Sequence, residues 1–278
     1  AVEPPPPVAV AAPTPVEVAK PAPPAVAEAP PRPAPVLDPI WNDPEVTKVW
    51  DLDAMTAEDE EALGEALDRL ILTLNEESKG GPSAARVADA ARPLRALAGR
   101  KDVSYSFKIL NSPERNAFSI PGGTIYVTEG LLLSIGEDEE HALQFVLAHE
   151  MAHVEGRHAL QCLRVPKLKQ LAGVGTAEIL YRYVIPNAYF DGHDYEADRL
   201  AIERLKALGY GRYESLAYLR KLDRYATDQH FAQGRMAPDL TADRSLVDNH
   251  VRAHVSVRDR LARAKTILDS GAPPAPTR

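Results

Sequence analysis

Residues 149–153 read His149-Glu150-Met151-Ala152-His153, two imidazoles four positions apart with a carboxylate directly after the first. On an α-helix, positions i and i+4 share a face, with Cβ atoms roughly 5–6 Å apart. Two imidazoles so placed can both reach a zinc ion at about 2.0–2.1 Å. Glu150 stands one step round the helix, close enough to touch a metal-bound water without being a ligand. Zinc lowers the pKa of that water towards about 7, and a glutamate there can take its proton so that hydroxide attacks a peptide carbonyl. The expected cofactor is one Zn2+ per chain. A catalytic zinc needs a third protein ligand and an open position. Within the stretch Asp191-Gly192-His193-Asp194-Tyr195-Glu196-Ala197-Asp198, four residues are candidates: His193, Asp194, Glu196 and Asp198. Asp194 and Asp198 stand at i and i+4 and share a helix face, whereas Glu196 points about 200° away from Asp194. Only one of these faces can look at the metal; His193, just before the helix, is a further donor.

These side chains need helices to hold them. Leu143, Val146 and Leu147 precede the first histidine, and the pattern predicts a helix over about 137–160 with one buried face and a histidine face looking into a cleft. Further helices are expected at about 167–182, 192–208 (ending at Gly209), 212–225 and 256–269. Upstream, Thr56 is a good N-cap, with Glu58, Asp59, Glu60 and Glu61 at the positive end of a helix dipole. Leu63, Leu67, Leu70, Ile71 and Leu74 follow at helical spacing until Gly80-Gly81, and a second stretch at about 83–98 is interrupted by Pro93. Short strands are predicted at 103–110, 116–120 and 124–127, the last two around the Pro121-Gly122-Gly123 turn.

Of the 25 prolines, 13 fall in residues 1–37. This Pro/Ala/Val segment reads as a semi-stiff polyproline-II-like tether, outside any core, and the tail 271–278 as loose. The globule is expected over 38–270, with N-terminal helices in 38–100 and a catalytic core in 101–270. The net charge of −8 argues against nucleic-acid binding, which needs a basic face. Cys162 is the only cysteine, so no intrachain disulfide or Cys-based zinc site can form. No run of residues is long and apolar enough to span a bilayer.

Four blocks resemble the M48 family of zinc metallopeptidases, most closely its soluble branch of periplasmic proteases and Oma1-like catalytic domains. They are Asn116-Ala117-Phe118-Ser119-Ile120-Pro121-Gly122-Gly123-Thr124-Ile125-Tyr126-Val127-Thr128-Glu129-Gly130-Leu131-Leu132; Val146 to His153 followed by Arg157-His158; Tyr195-Glu196-Ala197-Asp198-Arg199 followed by Ala207-Leu208-Gly209-Tyr210; and His254-Val255-Ser256-Val257-Arg258-Asp259-Arg260-Leu261. The resemblance implies an α+β fold: a helix-rich zincin-like metalloprotease domain with a small β-sheet. The family's third ligand is a glutamate four residues before the aspartate of its third block, and that position here is Asp194, with Glu196 the alternative. Asp198 then suits an outer role, accepting the free N–H of a ligating histidine. The likeness makes His254 a gate or fourth ligand, against a plain reading as a helix cap; His158 is read as structural. The strand at about 124–127 is expected to be a sheet edge that pairs with an extended substrate, through Gly122, Gly123, Thr124, Ile125 and Tyr126. The implied activity is endopeptidase cleavage of unfolded or misassembled polypeptides in the periplasm or cell envelope, where an anchor upstream of residue 1 would tether the chain to a membrane. A different expectation is a non-catalytic, chaperone-like or scaffolding relative whose metal site has decayed at Asp194.

Overall fold

A computed structural model describes residues 39–164, 171, 173–185, 191–233 and 257–270. The expectations for the tether, the tail and His254 lie outside these residues. Thr56 caps α2 (Ala57–Leu74) in a capping box: its hydroxyl accepts from the Asp59 N–H, and the Asp59 carboxylate accepts from the Thr56 N–H, each at 3.1 Å. The apolar spacing then buries Leu63, Leu67, Leu70 and Ile71 along one stripe. Before it lies the short α1 (Pro44–Thr47). Helix α3 (Gly81–Ala96) runs through Pro93 without the expected interruption. Pro93 falls in the last turn, and the hydrogen bond it forfeits would have gone to Asp89, which is exposed and can bond water instead.

Strands β1 (Ser106–Leu110), β2 (Ala117–Ser119) and β3 (Thr124–Thr128) form one sheet in the order β1-β3-β2. β1 runs parallel to β3 with Phe107 opposite Ile125, and β2 runs antiparallel with Phe118 opposite Tyr126. β3 is therefore central, which corrects its expected role as the substrate-binding edge. The Pro-Gly-Gly hairpin supplies only one neighbour, and β1 takes the other side, so the backbone bonds of Thr124, Ile125 and Tyr126 are spent inside the sheet. Gly122 (φ 80°) and Gly123 (φ 99°) do not clear an entrance either. A Cβ on Gly122 would lie 3.2 Å from the Glu61 Cα, and one on Gly123 2.4 Å from Val103 Cγ1. They serve a tight turn packed against α2 and the approach to β1.

The alternation of the strands divides two apolar clusters. Ile109, Ala117, Ile125 and Val127 join the one that contains α5 (Glu140–Glu155), α3 and the helices after residue 191. Leu110, Phe118, Ile120 and Tyr126 join the other, which contains α1, α2, α6 (His158–Leu163) and α7 (Thr176–Ile179). From α7 the chain runs into a π-helical turn, Leu180–Val184. Between β3 and α5 lies α4 (Glu129–Ser134), begun by Thr128, whose hydroxyl accepts from Leu131 N–H. The remaining helices are α8 (Asp191–Ala207), α9 (Arg212–Ser215), α10 (Ala217–Gln233) and α11 (Val257–Ser270).

Candidate metal centre

Helix α5 carries His149, Glu150 and His153, and it is buried on all sides from Ala142 to Val154. The histidine face therefore does not line an open cleft: His149, Glu150 and His153 are 5 %, 3 % and 2 % exposed. Helix α8 crosses α5 and is pinned to it by Arg204, whose guanidinium donates to the Ala148 carbonyl at 2.9 Å and pairs with Glu155. That clamp brings α8 close enough for an aspartate, one methylene shorter than glutamate, to reach the histidines.

The Nε2 atoms of His149 and His153 lie 2.9 Å apart. Asp194 Oδ1 stands 3.8 Å from the first and 3.5 Å from the second. Among the described residues, these three side chains form the one group whose donor atoms all lie within 4.8 Å of one another. Tetrahedral zinc with bonds of about 2.0–2.1 Å sets its donors about 3.3–3.4 Å apart, so the trio fits after shifts of a few tenths of an ångström. The chemistry also fits. Burial holds both imidazoles below their ordinary pKa, so their nitrogens are neutral at pH 7, and Asp194 is fully buried beside them.

The other expected residues separate. Asp198 stands behind His149, with Oδ1 3.0 Å from Nδ1. It is bound on its other side by Arg260 of α11 through two bonds of 2.8 and 2.7 Å. Burial alone would push the Asp198 carboxyl up, but Arg260 and the His149 N–H outweigh it and hold the carboxyl below its usual value. Glu196 is half exposed and its Oε2 lies 3.6 Å from His158 Nε2, on the far side of His153 from the metal-facing nitrogen. His193 lies within α8, stacked on His158 and bonded to Gln161 Oε1 at 2.9 Å. Glu150 meets Ser119, whose hydroxyl donates to Oε2 at 3.1 Å. The period of β2 puts Ser119 on the same face as Ala117, towards α5. Burial pushes Glu150 up to about 8, against the pull of the Ser119 bonds; a cation held alongside acts in the same direction as Ser119.

Sequence reasoning gave no role to Arg260 or Ser119. Both lie inside the M48-like blocks, Ser119 before the Pro-Gly-Gly turn and Arg260 six residues after His254.

The sequence profile described as "Peptidase family M48" matches residues 83–268, more than half of the chain. The chain belongs to peptidase family M48. Curated relatives of this M48 chain include the mitochondrial metalloendopeptidase OMA1 of Schizosaccharomyces pombe, 36 % identical over 29 % of this chain and 23 % of that protein. The beta-barrel assembly-enhancing protease of Yersinia pestis is 28 % identical over 42 % of this chain and 28 % of its own length. The OMA1 of Danio rerio is 41 % identical over 18 % of this chain and 10 % of its own. The chain thus spans less than a third of the length of these M48 relatives.

Proposed function

We propose that the chain is a zinc-dependent endopeptidase that hydrolyses peptide bonds of unfolded or misassembled proteins. One observation carries this reading: His149, His153 and Asp194 converge from two pinned helices, with the Glu150 carboxylate beside them and tethered to the sheet by Ser119. His149 and His153 would hold the ion through Nε2 and Asp194 through a carboxylate oxygen. When bound, zinc supplies Lewis-acid polarisation of the scissile carbonyl and acidifies a water. Glu150 takes a proton from the attacking water at a carboxylate oxygen and returns it to the leaving amine. The Ser119 hydroxyl favours the charged, proton-accepting form of that carboxylate and fixes its orientation. Asp198 and Arg260 keep the His149 proton on Nδ1, which leaves Nε2 as donor.

Substrate is assigned to the side of β2 that faces away from β3, in place of β3. Pairing with β3 uses the backbone groups of Asn116, Phe118 and Ile120, so the carbonyls of Ala117 and Ser119 point to the other side, next to Glu150. Backbone bonding there is sequence-tolerant, as cleavage of unfolded chains requires. Envelope quality control, in the periplasm or at a membrane, is proposed from the likeness to M48 proteases together with the Pro/Ala-rich N-terminal sequence. No helix among the described residues is long and apolar enough to cross a membrane.

The test pairs zinc analysis with cleavage of casein. Wild-type chain should carry about one zinc and cut casein, and Glu150→Gln should keep the metal and lose cleavage by at least about 100-fold. Equal behaviour of the two would favour a non-catalytic relative and overturn the protease reading.

A further inference from the structure

The two histidines of the metal helix are backed differently. Asp198 and Arg260 stand behind His149, whereas the Nδ1 of His153 faces another imidazole: His158 Nδ1 at 2.8 Å. This contact is not one a helix would make. Five positions along a continuous helix turn the side chain by about 140° from that of His153. Here α5 ends at Glu155, Arg157 adopts a left-handed conformation (φ 51°, ψ 36°), and α6 restarts at His158 with its ring folded back towards α5. Gly156 makes the space, since a Cβ there would lie 2.2 Å from His158 Nε2. The His158 side chain is fully buried, and its ring stacks on His193, 4.1 Å away at 6°, the residue that directly precedes Asp194. A left-handed non-glycine residue, a glycine without room for a methyl group and a buried imidazole thus meet at this contact.

We infer that His158 is a positioning residue for the metal site: its Nδ1 lone pair accepts the Nδ1 proton of His153 and so commits the Nε2 of His153 to the ion. The inference rests on the zinc reading given above and extends it to a residue outside the ligand set. The two ligands thereby have unlike supports. His149 leans on a carboxylate, which raises its donor strength, and His153 leans on an imidazole, which fixes tautomer and ring angle with less transfer of charge.

The test measures zinc affinity of the full chain by competition with a chromophoric chelator, for wild type, His158→Asn and His158→Phe. Asparagine places an oxygen acceptor near the position of Nδ1 but loses the ring. Phenylalanine keeps an aromatic ring, slightly larger than imidazole, to stack on His193 but has no acceptor. Positioning through the hydrogen bond gives a 10–100-fold weaker Kd for His158→Phe, as for other such partners of ligating histidines, and a value within about threefold of wild type for His158→Asn. A packing role gives the reverse order, and that order, or wild-type affinity in His158→Phe, overturns the inference. Far-UV circular dichroism of the metal-free proteins checks that both variants fold. If either does not, long-range 1H–15N correlation spectra of the zinc-loaded wild type decide. A proton on Nδ1 of His153 facing a bare Nδ1 of His158 supports the inference, and a proton on Nδ1 of His158 refutes it. A wild-type chain that binds no zinc sinks the metal reading itself, whereas tight wild-type binding with the variant order reversed removes only the role of His158.

Discussion

Replacing Arg260 with methionine removes one half of an ion pair that is almost wholly out of water, Arg260 being 3 % and Asp198 2 % exposed. Two bonds of 2.8 and 2.7 Å place the guanidinium and carboxylate charge centres about 4 Å apart; at an effective dielectric of about 20 their attraction is about 4 kcal/mol. Methionine fills similar volume but leaves the Asp198 carboxylate, among the described residues, with the His149 N–H at 3.0 Å. The expected loss of stability is about 3–5 kcal/mol, the range for a buried pair broken from one side. Urea unfolding of the metal-free chain, followed by far-UV circular dichroism, measures it without the added stabilisation that bound zinc would give. The double variant Asp198→Asn/Arg260→Met removes both charges and should recover at least about 2 kcal/mol relative to the single variant. A loss below about 1 kcal/mol in Arg260→Met, or a double variant as unstable as the sum of its parts, would refute the argument.

Asp194→Ala should abolish stoichiometric zinc while Glu196→Ala keeps it, as measured by metal analysis after gel filtration; the opposite result would transfer the third ligand to Glu196. Ser119→Ala removes a hydrogen bond that favours the charged form of Glu150, so its pKa rises further and the acidic limb of a casein pH–rate profile moves to higher pH; an unmoved limb would take Ser119 out of the proton chemistry. Thr56→Ala breaks the capping box of α2 and should cost about 1 kcal/mol in urea melts.

What could be read from the sequence was what local periodicity controls. The 3.6-residue repeat put His149 and His153 on one face, and it placed Asp194 and Asp198 one turn apart on α8. The pieces that escaped are set by distant or rare events. β3 lies between two neighbours because β1 pairs with it in parallel, and strand order leaves no local trace. Arg260 reaches Asp198 across 62 residues of chain, so no window on the sequence contains both. The break after α5 depends on an arginine in a left-handed conformation, which favours glycine or asparagine and so gives no signal. The expected open histidine face fails because α5 is enclosed all round, with Gln144 buried as well as the apolar positions.

Both faces of the sheet are largely covered, with only Ser106, Phe107, Lys108 and Thr124 half-buried. One of its faces rests on the helices of the family-matched region, and the other on Leu63, Leu67, Leu70 and Ile71 of α2, which precede the first matched residue, 83. Cutting the chain at the family boundary would strip Leu110, Phe118, Ile120 and Tyr126 of the part of their cover that α2 supplies, leaving α6, α7 and the turn after it on that face. A fragment starting at residue 83 is therefore expected to unfold at lower urea than one that keeps α2.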